Sequence, residues 1–104
     1  MEFKVHFTEQ CLEDIENICD YISRQFKTDK SAIRLRKEIR EKTKQLGTNP
    51  EMYESINKID RLKRTYRKIV INNYILLYTI DNKNKIVYIS HMYYGQQNYF
   101  EGLI

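Results

Sequence analysis

Few side chains in this sequence are equipped for chemistry on their own. Histidine occurs twice, at His6 and His91, and cysteine twice, at Cys11 and Cys19. Neither histidine has a Cys or Asp neighbour at a suggestive spacing, and no second Cys/His pair stands at ligand distance. No Gly-rich phosphate loop, Gly-x-Ser-x-Gly elbow or His-Glu-x-x-His helix is present. Metal, nucleotide-cofactor and hydrolase-triad chemistries are therefore poorly supported, and no metal or cofactor is expected. What the chain does have is cation and phenol: 18 Lys and Arg, and nine Tyr. Two activities suit that inventory. One is the binding of an anionic partner. The other is cleavage of RNA without metal. There the 2′-OH is the nucleophile, and the protein supplies only a base, an acid and cations for the phosphorane charge.

The cations are concentrated. Residues 1–26 carry six acidic and two basic side chains, whereas residues 27–68 carry fourteen basic and six acidic ones. Such a field attracts a polyanion or an acidic protein segment. Some of it is solvated helix with internal ion pairs, as in Glu38–Lys42 at i,i+4. That explanation is weaker for residues 58–68, where Asp60 alone opposes six positive charges.

The elements that must position these groups follow from periodicity. Phe3, Val5 and Phe7 alternate with Lys4 and His6, which predicts a half-buried strand with His6 facing solvent. Thr8 caps a helix of about 18 residues, with Glu9 in its first turn. Its apolar face is Cys11, Leu12, Ile15, Ile18, Cys19, Ile22 and Phe26. The two cysteines are then about 12 Å apart along the helix, too far for a disulfide, and read as buried hydrophobes. Thr28 and Asp29 start a second helix striped by Ala32, Leu35, Ile39 and Leu46, stopped by Gly47 and Pro50. The short connection predicts an antiparallel hairpin.

Residues 48–60 read as a loop, or a loop with one turn of helix, anchored by Met52, Tyr53 and Ile56. Three strands follow: Tyr66–Ile71, Tyr74–Ile80 across an Asn72-Asn73 turn, and Ile86–Met92 across a turn at 81–85. Tyr74–Ile80 is apolar on both faces and so is central. Tyr74, Tyr78 and Tyr88 read as core and sheet-surface residues. Tyr93, Tyr94 and Tyr99 fall beyond the last strand and are less easily explained by packing. The expectation is an α+β domain, β-α-α-β-β-β: an N-terminal strand, an antiparallel helix hairpin and a three-stranded antiparallel meander, with the helices on one face of a single sheet. The 104 residues suit one domain, 1–104, with one modest core. No apolar run approaches the roughly 20 residues of a membrane span, and the first residues lack a signal peptide, so a cytoplasmic location is expected.

That order resembles the RelE/ParE superfamily, the toxins of bacterial type II toxin–antitoxin pairs. Residues 11–22, Cys-Leu-Glu-Asp-Ile-Glu-Asn-Ile-Cys-Asp-Tyr-Ile, resemble the family's A-x-x-D-L-x-x-I-x-x-Y-I first helix. Tyr66-Arg67 through Tyr74, Tyr78 and Asp81 resembles its Y-R…Y-x-x-x-Y-x-x-D hairpin. Ile86–His91 with Tyr99 downstream is similar to its last strand and tail. The resemblance implies a co-expressed acidic antitoxin whose C-terminal segment wraps the toxin. It implies one of two targets: RelE-like members cut mRNA on the ribosome, and ParE-like members poison DNA gyrase.

In RelE-like members an Arg follows the Tyr that begins the central strand, and a second Arg stands six residues before a tail Tyr. Those positions hold Ile75 and Tyr93 here. If the chain were nevertheless a nuclease, its catalytic groups would come from Arg67, Lys68, His91, Tyr94 and Tyr99. Ile89-Ser90-His91 is similar to the I-L-H that closes the last strand of many ParE-like members, although the basic pair that often follows is missing. The balance favours a ParE-like gyrase poison, with Arg34, Lys37, Arg61, Arg64, Arg67, Tyr93 and Tyr99 meeting partners. The alternatives are a ribosome-dependent mRNA endoribonuclease and a diverged, non-toxic binding module.

Overall fold

The computed structural model describes residues 2–59 and 65–95, without the side chains of 57–59. The sequence-predicted site residues Arg61, Arg64 and Tyr99 lie outside the described residues. The elements are β1 (Lys4–Phe7), α1 (Glu9–Phe26), α2 (Lys30–Lys44), a short 3-10 turn (Gln45–Gly47), β2 (Ser55–Ile59), β3 (Thr65–Ile71), β4 (Tyr74–Asp81) and β5 (Ile86–Tyr94). They form one five-stranded sheet in the order β1-β5-β4-β3-β2, with β1 parallel to β5 and every other pairing antiparallel.

The helix hairpin forms where the periodicity places it. Thr8 Oγ1 accepts from Cys11 N–H and caps α1. α1 ends on Lys27 in the left-handed region, φ 54°, where Thr28 N–H reaches back to the Ser23 carbonyl. Cys11, Ile15, Cys19 and Ile22 of α1 and Ala32, Leu35 and Ile39 of α2 are buried against one sheet face. There they meet Ile69, Ile71, Leu76, Tyr78, Val87, Ile89 and Met92. The stripe is narrower than the sequence predicts: Leu12 and Phe26 are 54% and 62% exposed, so only the residues one or two turns apart on its centre line are inside.

Residues 55–59 correct a second expectation. They form β2 rather than loop, paired with β3 through Ser55↔Arg67 and Ile59↔Thr65. The register shifts between those two pairs, which breaks the period-two alternation that would have announced a strand. Ile56 packs against Tyr66, Ile75 and Leu77 on the face opposite the helices. The central strand is buried on both sides as expected, from Ile75 through Thr79. Its turn uses Asn72 at φ 53°. Gly95 donates its N–H to the Asn73 carbonyl, and a Cβ there would stand 2.9 Å from that oxygen, so the close approach requires glycine.

Candidate functional site

The sheet has a helix-covered face and an open face, and the position of β5 side chains on one or the other is set by a single irregularity. Pairing runs Leu77↔His91 and then Tyr78↔Ile89, so Ser90 is an extra residue in β5. Such a bulge inverts the alternation beyond it. Val87 and Ile89 point to the helices before it, and Met92 points there after it. His91 and Tyr93 are thereby sent to the open face, where simple alternation from Val87 and Ile89 would have buried them. β5 also extends to Tyr94, so Tyr93 and Tyr94 belong to the strand and not to a tail beyond it.

The open face is built in cross-strand rows. Val70, Ile75 and Tyr93 form one row, Lys68, Leu77 and His91 the next, and Thr79, Tyr88 and His6 a third. The His91 and Tyr93 rings stack at 5.6 Å with 14° between planes. His6 is exposed, as the alternation predicts, and meets Tyr88 edge-on at 5.7 Å. Ser90 Oγ donates to the Leu77 carbonyl at 3.1 Å and lies 3.0 Å from His91 Nδ1. Burial raises the Tyr93 phenol above its usual range, and the Asp14 carboxylate adds to the shift.

The sequence-predicted catalytic residues separate onto the two faces. Lys68 and His91 share a row on the open face, and Lys68 Nζ is paired with Glu54 at 3.3 Å. Arg67 faces the other way, opposite Tyr78, and its Nη1 donates to the Tyr53 carbonyl at 2.7 Å. Tyr78 does the same for the Pro50 carbonyl at 2.8 Å, so these two side chains pin the segment that leads into β2. Tyr94 is on the helix side too, edge-on to Tyr74 at 5.8 Å. The two positions where the resemblance calls for arginine, Ile75 and Tyr93, are direct cross-strand partners.

Two concavities flank this arrangement. The β3–β4 ladder covers Arg67–Ile71 and Tyr74–Tyr78, while β4 stays paired to β5 as far as Asp81↔Ile86. Beyond the last β3–β4 pair a cleft of about 680 Å³ is lined by Thr65 and Arg67 from β3, Thr79 and Asp81 from β4, and Thr8 and Ser90. Asn84 donates to Asp81 from its side chain and its backbone and holds that carboxyl below the usual carboxylate range. The second is a groove of about 300 Å³ along the hairpin, with Phe7, Leu12, Ile15 and Ile39 on its floor and Arg36 and Arg40 at its rim. Arg36 also bridges to Glu16 of α1 at 3.0 Å. Arg34 and Lys37, predicted to meet partners, are exposed on α2. Among the described residues no three His, Cys, Asp or Glu side chains converge as a metal group, and no helix is long and apolar enough to cross a membrane.

Residues 5–99 match the family model of the ParE toxin of the type II toxin-antitoxin system parDE. The chain belongs to that family and is the toxin of a type II toxin–antitoxin pair. It is similar in fold to a chain of the archaeal RelE–RelB complex from Pyrococcus horikoshii OT3. That likeness has a TM-score of 0.56 and 16% identity, and it covers 93% of this chain and 99% of the other. No curated protein matches.

Two contributors to the site are not identified by sequence pattern. Ser90 makes the bulge, and Asp14 stands in the first-helix motif outside the apolar stripe. Asp14 Oδ2 accepts from Met92 N–H at 3.1 Å, and no periodicity announces a helix side chain paired to a strand backbone.

Proposed function

We propose that this toxin acts as a ParE-like poison of DNA gyrase and breaks no bond itself. The observation that carries the proposal is the Ile75↔Tyr93 pair. A phosphoryl-cleaving site needs cations aimed at the developing charge, and an isoleucine beside a phenol cannot supply them. Lys68, on the same face, already engages Glu54, and the Arg67 guanidinium is spent on backbone carbonyls behind the sheet. The stacked His91–Tyr93 rings supply instead the rigid aromatic surface that protein interfaces favour.

The partner that restrains it is an acidic antitoxin segment. The hairpin groove offers apolar floor and arginine rim, which suits an amphipathic helix carrying carboxylates. The structural neighbour from Pyrococcus horikoshii OT3 is itself part of a RelE–RelB complex, which supports a paired partner for this chain. Exchanging the rim residues Arg36 and Arg40 for Glu should slow association about 10-fold or more at low salt, with the difference shrinking as salt rises, and the same exchange at Arg34 and Lys37, exposed on α2 outside the groove, should act more weakly.

The deciding experiment is a supercoiling and cleavage assay with purified gyrase. Loss of supercoiling, or gyrase-dependent DNA breaks at micromolar toxin, supports the proposal. Unchanged gyrase activity with codon-phased cuts in a translated mRNA would overturn it and return the function to Lys68 and His91.

A further inference from the structure

The structure assigns Asp14 a positioning role: it locks the Ser90 bulge from the helix side and so keeps His91 and Tyr93 on the open face. β1 pairs with β5 only as far as Phe7↔Ile89. Past that point the outer edge of β5 has no strand beside it among the described residues, and α1 takes over with side chains. Thr8 N–H donates to the Ile89 carbonyl at 3.0 Å, and Thr8 Oγ1 donates to the Ser90 carbonyl, also at 3.0 Å. Asp14 Oδ2 then accepts from Met92 N–H. The edge is thus fastened on both sides of the bulge, at Ser90 by the helix cap and at Met92 by a carboxylate one and a half turns further along. Gln10 Nε2 donates to Asp14 Oδ1 at 2.8 Å and fixes the carboxylate from within the same helix.

The fastening matters because a bulge is one register step from being absent. If Ser90 were drawn into the ladder, every later side chain would change faces. Met92 would leave the core, and His91 and Tyr93 would turn toward the helices. Ser90 Oγ opposes this from the β4 side through Leu77, and Asp14 opposes it at the Met92 amide, two residues past the bulge. Asp14 touches no partner in this scheme; it acts through β5. The inference rests on the reading that the open face meets the target, whichever target that is.

The test compares Asp14→Ala with Asp14→Asn in the full chain. Asparagine keeps an acceptor for the Met92 amide; alanine leaves that amide unpaired. In Asp14→Ala, exchange of the Met92 amide should rise about 30-fold relative to Ile89, and inhibitory potency in growth arrest should fall about 10-fold or more. Asp14→Asn should keep potency within about 3-fold, with the His91–Tyr93 ring stacking visible as mutual ring-current shifts. Equal potency for Asp14→Ala and the parent would overturn the assignment. So would an Asp14→Asn protein as weak as Asp14→Ala while its Met92 amide stays protected. If Asp14→Ala does not fold, Asp14→Asn decides alone: full potency with an unprotected Met92 amide would also overturn it. Growth arrest and amide exchange are independent of the target. A failed gyrase assay with the parent protein would therefore sink the proposed function and leave this inference standing.

Discussion

Arg67 and Lys68 are adjacent in sequence and opposite in circumstance. Arg67 lies on the helix side, its guanidinium locked onto the Tyr53 carbonyl beside the buried Tyr78 hydroxyl. Lys68 lies on the open side, paired with a Glu54 side chain that is 73% exposed. The same division holds for the whole sheet. On the helix side a continuous cluster joins both helices to β3, β4 and β5. On the open side only Tyr66, Ile75 and Leu77 are buried as a group among the described residues, with polar and aromatic side chains around them. One face is arranged for stability and the other for contact, and the boundary between them runs through single residues.

The largest expected effect tests that division at Leu76 and Leu77, neighbours that are both buried and face opposite ways. Leu76→Ala should cost about 4 kcal/mol and Leu77→Ala about 3, because the smaller open-side cluster can collapse more readily around a lost side chain. Urea unfolding of both variants checks this; a costlier Leu77→Ala would break the comparison. Next come the two cations. Arg67→Ala leaves a backbone carbonyl without its charged donor and should cost about 2 kcal/mol. Lys68→Ala, removing a half-exposed ion pair, should cost less than about 1 kcal/mol.

Alkaline pH separates the faces in another way. Burial pushes the Cys11 thiol from 9.0 up to about 12, with a smaller contribution from Asp14, and burial likewise pushes the Tyr78 phenol from 10.0 up to about 12. Both groups are neutral when protonated, so their folded-state pKa values are raised above the unfolded ones. Their contribution is complete below about pH 9 and is lost as the pH rises toward 12. Thermal melts from pH 8 to 11 should therefore show a falling midpoint, and Tyr78→Phe should flatten the part of that fall above pH 10. The smallest effect belongs to the helix surface. Arg36→Ala should change stability by about 0.5 kcal/mol, since its Glu16 partner is exposed.

The helix-side face is legible in the sequence because its signals are local. Thr8 caps through its hydroxyl and Asn72-Asn73 turns through a left-handed Asn72, whereas α2 ends at Lys44 and tightens into the 3-10 turn before Gly47 and Pro50 are reached. The open face is not, because two departures from ladder pairing define it. The shift between Ser55 and Ile59 conceals β2 within an apparently polar loop, and the extra Ser90 reverses the orientation of His91 and Tyr93. Neither leaves a compositional trace. Arg67, Lys68, His91 and Tyr94 make one candidate set by residue type, and only the register separates them into two.

The parallel pairing of β1 with β5 joins the two ends of the sheet-forming chain, and Thr8 meets Ser90 across 82 positions. A contact so distant in sequence is slow to close, because the intervening chain must be ordered first. During synthesis the consequence is a schedule. At about 5–20 residues per second, roughly 4–16 s pass between the appearance of Thr8 and that of Ser90. The hairpin, whose contacts are short-range, can form within that interval. Among the described elements the histidine–tyrosine surface therefore acquires its shape late, after the helices that carry the partner groove.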